Sequence, residues 1–405
     1  MRITITFCSI VLLFSCRVAY SQDTVSLPKP YATRSVTNHP QVVGWIEGKL
    51  PQAPTGFTVT KFADGFKNPR WIYQGPNGDI FVCEASTSAG SLNQITILQD
   101  KDHDGTYDFR NIFLANLNKP FGMLILNDFF YIANTDALLR FPYKAGQDHI
   151  TETGRKILDL PAGGYNNHWT RNIIASPDGK KILISVGSAS NNGEYGMETE
   201  VRRANILEIN PDGSDEKIYA SGLRNPVGMQ FYPGTTILWT AVNERDDLGD
   251  ELVPDYLTSV KRDGFYGWPY AYWGPNEDPR MKGQRPDLVK KTIIPDVSLG
   301  AHTASLGLAF YNQTSFPEHY RNGAFIGQHG SWNRSELSGY KVVFVPFTNG
   351  KPSGRPENFL TGFINDPKKS RVYGRPVGVT VLSNGTLLVA DDAANTIWSV
   401  TVTKP

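Results

Sequence analysis

The chain has 405 residues, with 40 lysines and arginines against 39 aspartates and glutamates. That length allows a large core or one closed repeat architecture, and the near-neutral balance argues against a nucleic-acid-binding surface. The first residues read as a secretory leader: Arg2 is the basic start, Ile3 to Cys16 is mostly apolar, and Ala19-Tyr20-Ser21 supplies the cleavage positions. The expected division is a signal peptide over 1–21, an N-terminal extension over 22–55 and one domain over 56–405, in a periplasmic or secreted protein. Leu13-Phe14-Ser15-Cys16 also scans as a lipoprotein box, although the bulky Phe14 counts against it. No stretch is apolar for long enough to span a membrane. Cleavage would remove Cys8 and Cys16 and leave Cys83, so no internal disulfide is expected. There is no C-x-x-C-H haem motif.

Six segments then follow one form: a polar or proline-containing start, a short apolar run, a turn and a second apolar run. They begin at Asn68-Pro69-Arg70, Asn118-Lys119-Pro120, His168-Trp169-Thr170-Arg171, Arg224-Asn225-Pro226, His302-Thr303-Ala304 and Gly374-Arg375-Pro376. Four continue apolar-Gly-apolar, at Phe121-Gly122-Met123, Val227-Gly228-Met229, Leu306-Gly307-Leu308 and Val377-Gly378-Val379. The second runs are Ile80 to Cys83, Phe130 to Ala133, Ile182 to Val186, Leu238 to Val242, Ala324 to Gly327 and Leu387 to Ala390. β-branched and aromatic residues between Asn-Gly and Asp-Gly turns are strand-and-hairpin chemistry. A spacing of roughly 50 residues is the blade length of propellers, so the expected fold is all-β, a six-bladed β-propeller. Longer gaps after Asn243 and His329 leave room for functional loops.

If each pair of runs is an antiparallel hairpin, the residue leading into the first strand and the residue leaving the second lie at one end. The leading set holds Arg70, Lys119, His168, Arg171, Arg224, Asn225, His302 and Arg375; the leaving set holds Glu84, Asn134, Asn243, Glu244, Gln328, His329 and Asp391. Only 20% of the chain is charged, yet these positions are crowded with arginine, histidine and acids. Converging guanidinium groups suit a ligand with several carboxylates or phosphates. Nucleotide cofactors have no visible site, because G-x-G-x-x-G and Walker loops are absent. Separately, Asp100, Asp102, Asp104 and Asp108 with Gly105 have the acidic spacing of a calcium loop, without the final glutamate; a structural calcium site and a solvated turn are both open readings.

Longer blocks carry a resemblance. Gly222-Leu223-Arg224-Asn225-Pro226-Val227-Gly228-Met229, Asn243 to Glu251, Tyr266-Gly267-Trp268-Pro269, Gln328-His329-Gly330-Ser331-Trp332-Asn333-Arg334 and Gly374 to Gly378 are similar to the glucose/sorbosone dehydrogenase family, nearest its L-sorbosone dehydrogenase branch. The resemblance spans about Gly56 to Val400. It implies a propeller holding pyrroloquinoline quinone (PQQ) with Ca²⁺ against the quinone, and oxidation of a sugar by hydride transfer to quinone C5. His168 would be the general base and Arg224 the group that stabilises negative charge on the reduced cofactor. Arg70, Arg171, Asn225, His329, Trp332, Arg334 and Arg375 would bind the cofactor, with Trp332 stacking on its ring. Calcium would sit on backbone carbonyls of the Glu244 to Asp247 loop, at Glu244, Arg245 and Asp246, where the family's Gly-Pro is missing. Electrons would pass to a separate quinone or cytochrome.

Two other functions fit the same residues less fully. A lactonase-type hydrolase would use calcium alone, with Glu84, Asn134, Asn243 and Asp391, and needs few arginines. A non-catalytic sugar-binding propeller would not need both His168 and Arg224. The substrate pocket is expected within Trp268 to Leu299 and Ser335 to Arg371.

Overall fold

Each second run of the repeat forms a strand within a residue of its expected limits, as Ile80–Glu84, Phe129–Ala133, Ile182–Val186, Leu238–Val242, Ala324–Gln328 and Leu387–Asp391. The computed structural model describes residues 25–403, so the signal peptide over 1–21, with Cys8 and Cys16, lies outside the described residues. Each of these strands pairs antiparallel with the first run of its own unit, and the partners begin at Pro69, Met123, Ile173, Pro226, Ala309 and Pro376.

Two further strands extend each hairpin, giving six sheets of four or five strands among the described residues. The first sheet runs from Pro69 to Leu114 and the second from Met123 to Asp159. The third, Ile173 to Ser221, gains a short parallel strand at Gly264–Phe265. The fourth ends with Val297–Ala301 and the fifth with Glu357–Leu360. The sixth takes three strands from Pro376 to Val402 and its outer strand, Phe57–Ala63, from near the other end of the chain. The protein is nearly all β, with one short α-helix at Pro286–Lys291 and a few 3₁₀ turns among the described residues. Lys341–Val345 and Glu357–Leu360 are strands of the fifth sheet. Part of the segment expected to shape the substrate pocket therefore belongs to the scaffold.

The glycine of the apolar-Gly-apolar pattern has a packing reason. A Cβ on Gly122 would lie 2.5 Å from the Ile173 amide nitrogen, and one on Gly228 2.6 Å from Leu308 Cβ. On Gly307 it would meet the Val377 carbonyl oxygen at 2.2 Å, and on Gly378 the Arg70 carbonyl oxygen at 2.7 Å. In each case a first strand lies backbone-close to the first strand or leading segment of another sheet. The first and second sheets meet instead through side chains: Trp71 packs on Phe121 at 4.8 Å, and Tyr73 Oη accepts from the Ile125 amide at 3.1 Å. A cavity of about 560 Å³ is lined by residues of all six first strands, among them Tyr73, Met123, Asn172, Gln230, Phe310 and Thr380.

The extension runs as a strap along the loops. Gln41–Val42 pairs in parallel with Arg371–Val372. Trp45 packs against Phe363, Tyr373 and Trp398, and its indole N–H donates to Asp391 Oδ2 at 2.8 Å. Cys83 is free and buried. No helix among the described residues is long and apolar enough to cross a membrane.

Adding a methyl group at Gly122 forces backbone against backbone, so Gly122→Ala should cost about 2–3 kcal/mol. Gly163 has open space where a Cβ would go, and Gly163→Ala should leave stability within about 0.5 kcal/mol or raise it slightly. Urea unfolding midpoints of the two variants measure the contrast.

Candidate active site at the hairpin ends

Antiparallel register places Pro69 opposite Glu84, Pro226 opposite Val242 and Pro376 opposite Asp391. The leading and leaving residues therefore share one end of their hairpins.

His168 is buried at this end. Its Nδ1 lies 2.9 Å from the Ser188 carbonyl oxygen and 3.0 Å from Ser188 Oγ. Ser188 Oγ donates to the Ser190 carbonyl at 2.6 Å, and the Ser188 amide donates to the Arg224 carbonyl at 2.7 Å. Nδ1 thus carries the proton and donates to the carbonyl, which leaves Nε2 with an open lone pair. Burial, and next the Arg224 charge, hold the imidazole well below its ordinary pKa. Asn225 Oδ1 is buried without a hydrogen-bond partner. A Cβ on Gly187 would meet Asn225 Oδ1 at 2.4 Å and His168 Cβ at 2.6 Å, so that glycine lets base and amide converge.

The arginines are mostly committed to oxygens of the protein itself. Arg224 Nε donates to the Asn191 carbonyl at 3.0 Å and Nη1 to the Glu244 carbonyl at 2.5 Å. Its Nη2 reaches Asn191 Oδ1 at 2.9 Å and Asp246 Oδ2 at 3.4 Å. Arg171 donates to the carbonyls of His168, Thr170 and Pro161, all within 2.8 Å. It braces the His168 loop from behind, and burial lowers its pKa to about 9. Arg334 donates to the Asp250 carbonyl and pairs with Glu251. Trp332 is 40% exposed, with one face against His39 of the strap, stacked at 5.7 Å.

A second group forms around Asp392, a residue the sequence reading passed over in favour of its neighbour Asp391. Asp392 accepts from Arg70 Nη1 at 2.6 Å and from His329 Nε2 at 2.8 Å. Burial alone would raise its pKa, but His329 and Arg70 outweigh that and hold it far below the usual carboxylate range. Burial, with the Arg375 charge, pushes the His329 imidazole down to about 4. Arg375 donates to the carbonyls of His329 and Gly330, each at 3.0 Å. Arg70 also lies over the Trp169 ring, 5.4 Å from its centroid, and its Nε is buried without a partner. Since Trp169 follows His168 in the chain, this contact joins the two groups.

The expected calcium segment is otherwise occupied. Asp246 Oδ1 accepts from His302 Nδ1 at 3.0 Å, while His302 Nε2 donates to the Gly249 carbonyl at 2.9 Å. Burial opposes a charge on His302, but the bond to Asp246 prevails and its pKa is raised. Arg245 pairs with Asp278 at 2.6 Å, and burial lifts the Glu244 carboxyl to about 7. The Glu244 and Asp246 carbonyls, the atoms expected on calcium, accept from Arg224 Nη1 at 2.5 Å and from Arg245 Nε at 2.9 Å. Apart from this site, Asp100, Asp102 and Asp104 bring carboxylate oxygens within 4.8 Å of one another on a turn, with Asp108 outside the group. Asp100 accepts there from the amides of Asp104 and Gly105.

Sequence reasoning missed Asn191, Ser188 and Asp255. Asn191 caps Arg224 and the Asp246 amide, yet it sits in Ser188-Ala189-Ser190-Asn191-Asn192-Gly193, which reads as an ordinary turn. Asp255 is fully buried and gathers the Glu244 and Ser305 amides with the Thr303 hydroxyl.

Residues 51–264 and 287–403 match the TrAA12-like family model. The chain belongs to the TrAA12-like family. An uncharacterized protein of Borreliella burgdorferi is 29% identical over 366 residues, covering 86% of this chain and 90% of that protein. The calcium structure of the Trichoderma reesei carbohydrate-active enzyme of family AA12 has a TM-score of 0.72 at 21% identity, covering 91% of this chain and 100% of that one. The holo pyranose dehydrogenase PQQ domain of Coprinopsis cinerea has a TM-score of 0.73 at 19% identity, covering 89% and 98%. This TrAA12-like chain shares their fold.

Because folding lowers the His329 pKa from about 6.5 to about 4, the unfolded chain binds the extra proton between those values. Stability should therefore fall by roughly 3 kcal/mol as pH drops from 6.5 to 4. His329→Gln should flatten that part of a curve of melting temperature against pH. An unchanged slope in the variant would place the proton uptake elsewhere.

Proposed function

We propose that the protein is a PQQ-dependent dehydrogenase that oxidises a sugar, built as a six-bladed β-propeller. The observation that carries this reading is His168, buried, uncharged and with Nε2 open beside Arg224 and Asn225. Six units of four or five strands, in sequence order, support the blade count. The family match, and the likeness to a pyranose dehydrogenase PQQ domain, support the chemistry.

The residues present fit PQQ. Its carboxylates would meet Arg70, whose Nε lacks a partner, and Arg375, while Asn225 Oδ1 offers an unused acceptor. When bound, the quinone supplies a two-electron acceptor. The chain's own part is to take the proton. His168 Nε2 accepts it from the substrate hydroxyl, and the Ser188 carbonyl, holding Nδ1–H, steadies the imidazolium that forms. Arg224 is fully engaged by protein oxygens, so it acts as a fixed positive charge rather than as a hand that grips the ligand. That charge keeps the imidazole deprotonated before reaction. Arg171 holds the His168 loop. The carbonyls of Glu244 and Asp246 already accept from arginines, so no step is assigned to calcium.

A lactonase reading lacks an open carboxylate. Glu84 accepts from the Lys67 amide, Gln94 and Thr96, and Asp391 from Trp45, Trp398 and the Arg375 amide. Export from the cytoplasm and delivery of electrons to a separate quinone or cytochrome belong to the same proposal. The substrate includes aldoses and sorbosone-like hemiacetals.

Protein loaded with PQQ should reduce a dye with a sugar from a panel of aldoses. His168→Ala should lower kcat by about 10²–10⁴ while PQQ binding, followed by absorbance, stays near wild type. The acid limb of kcat/KM for the intact protein should lie below pH 6.5, since the base is depressed in the fold. A chain that takes up no PQQ is not this enzyme.

A further inference from the structure

Two loops meet beside His168. Loop 161–168 leads into the third sheet, and loop 187–197 leaves its second strand; the Asn167 amide ties them by donating to the Ala189 carbonyl at 2.9 Å. Each carries a tyrosine near its tip. Tyr165 and Tyr195 are 49% and 53% exposed, and their rings touch with centroids 4.7 Å apart, tilted by 51°. Neither side chain belongs to a core cluster. Tyr165 stands three positions before His168, a span of at most about 11 Å. In the Tyr195 loop, Asn191 accepts from Arg224 Nε at 3.0 Å and Nη2 at 2.9 Å, and the Oδ1 of Asn192 is buried without a partner.

The Tyr195 loop rests on a further segment. Residues 265–286 fall outside the family match. From that segment Trp268 Nε1 donates to the Asn191 carbonyl at 3.0 Å. Gly193 packs so closely that a Cβ would lie 2.8 Å from Met281 Cε and 3.8 Å from Pro269. Asp278 of the same segment anchors Arg245. The loop is thus held rigid with its aromatic ring turned outward.

We propose that Tyr165 and Tyr195 form a stacking platform for a sugar ring adjoining the one presented to His168, so that the substrate class is a di- or oligosaccharide. A pyranose offers an apolar C–H face and a rim of hydroxyl groups. Aromatic rings with polar tips take the first, and nearby amides such as Asn192 take the second. Contiguous exposed aromatic surface rimmed by polar residues marks a ligand-binding feature. The inference rests on the sugar-oxidation reading for the position of the oxidised ring; the platform's binding of sugar does not.

The test reads binding without turnover. The full chain, with no electron acceptor present, is titrated calorimetrically with cellotriose, maltotriose and xylotriose, and with glucose and xylose. At least one trisaccharide should bind about tenfold or more tightly than its monosaccharide. Tyr165→Ala and Tyr195→Ala should each remove most of that advantage, while the phenylalanine variants retain it. Both side chains are half exposed, so melting temperatures should hold in all four. Equal affinity for mono- and trisaccharides, no measurable binding of any sugar, or a preference that survives both alanine variants overturns the platform. Tyrosine-dependent binding without dye reduction by the PQQ-loaded protein would remove the oxidation reading and leave the platform standing. Dye reduction with no trisaccharide preference would do the reverse.

Discussion

The close approach of first strands at Gly122, Gly228, Gly307 and Gly378 is the constraint on which the rest depends. A backbone separation that leaves no space for a methyl group fixes how far each sheet stands from the next. It therefore fixes where the hairpin ends fall. The side chains that do chemistry sit one to six residues before these glycines, so their spacing is inherited from the packing and not from the loops. His168 precedes its own strand in the same way, and Gly122 lies against the residues at the start of that strand. Loops can then vary without moving the base.

A second layer of order comes from buried charge. Arg171 and Arg224 are among the most deeply buried side chains, and both spend their donors on main-chain carbonyls. A guanidinium in that setting is costly to desolvate unless its donors are filled; Arg224 fills all of its nitrogens, and Arg171 all but Nε, from the loops they hold. Acids act in the complementary sense. Asp255 collects amides and a hydroxyl of the fourth and fifth units, and Glu200 collects the amides of Ala189 and Ser190. The site is pre-organised before any ligand enters. Burial and the Arg224 charge together keep the His168 imidazole well below its ordinary pKa.

The scaffold was legible in the sequence because strand and turn chemistry repeats, and repetition averages away local ambiguity. Six second runs matched their strands to within a residue, and hairpin register followed from antiparallel pairing. The site was legible only in part. His168, Arg224 and Asn225 come together as expected, as do Arg70, His329 and Arg375 through Asp392. What composition could not reveal was how many arginine donors the protein uses on itself. Counting arginines suggested a polyanion; counting free donors leaves mainly Arg70 and Arg375 for that task. Likewise the acids of Glu244 to Asp246 look like metal ligands in one dimension, whereas His302, about 56 residues further on, arrives in three and neutralises Asp246. Long-range partners of this kind leave no local signature.

The same argument explains why the rim departs from the scaffold. Phe57–Ala63 closes the sixth sheet against Thr396–Val402, so both ends of the domain are tied to one element. Just before it, the strap brings Trp45 to Asp391, whose neighbour Asp392 holds Arg70 and His329. Tension at the strap would thus reach the Arg70–His329 cluster through two adjacent aspartates. On the opposite side of the hairpin ends, 265–286 supports Asn191 and the Tyr195 loop. Strap and segment flank a common centre from outside the repeat. Selectivity can change in them at little cost to the strands, because neither takes part in the backbone contacts that set the spacing of the sheets.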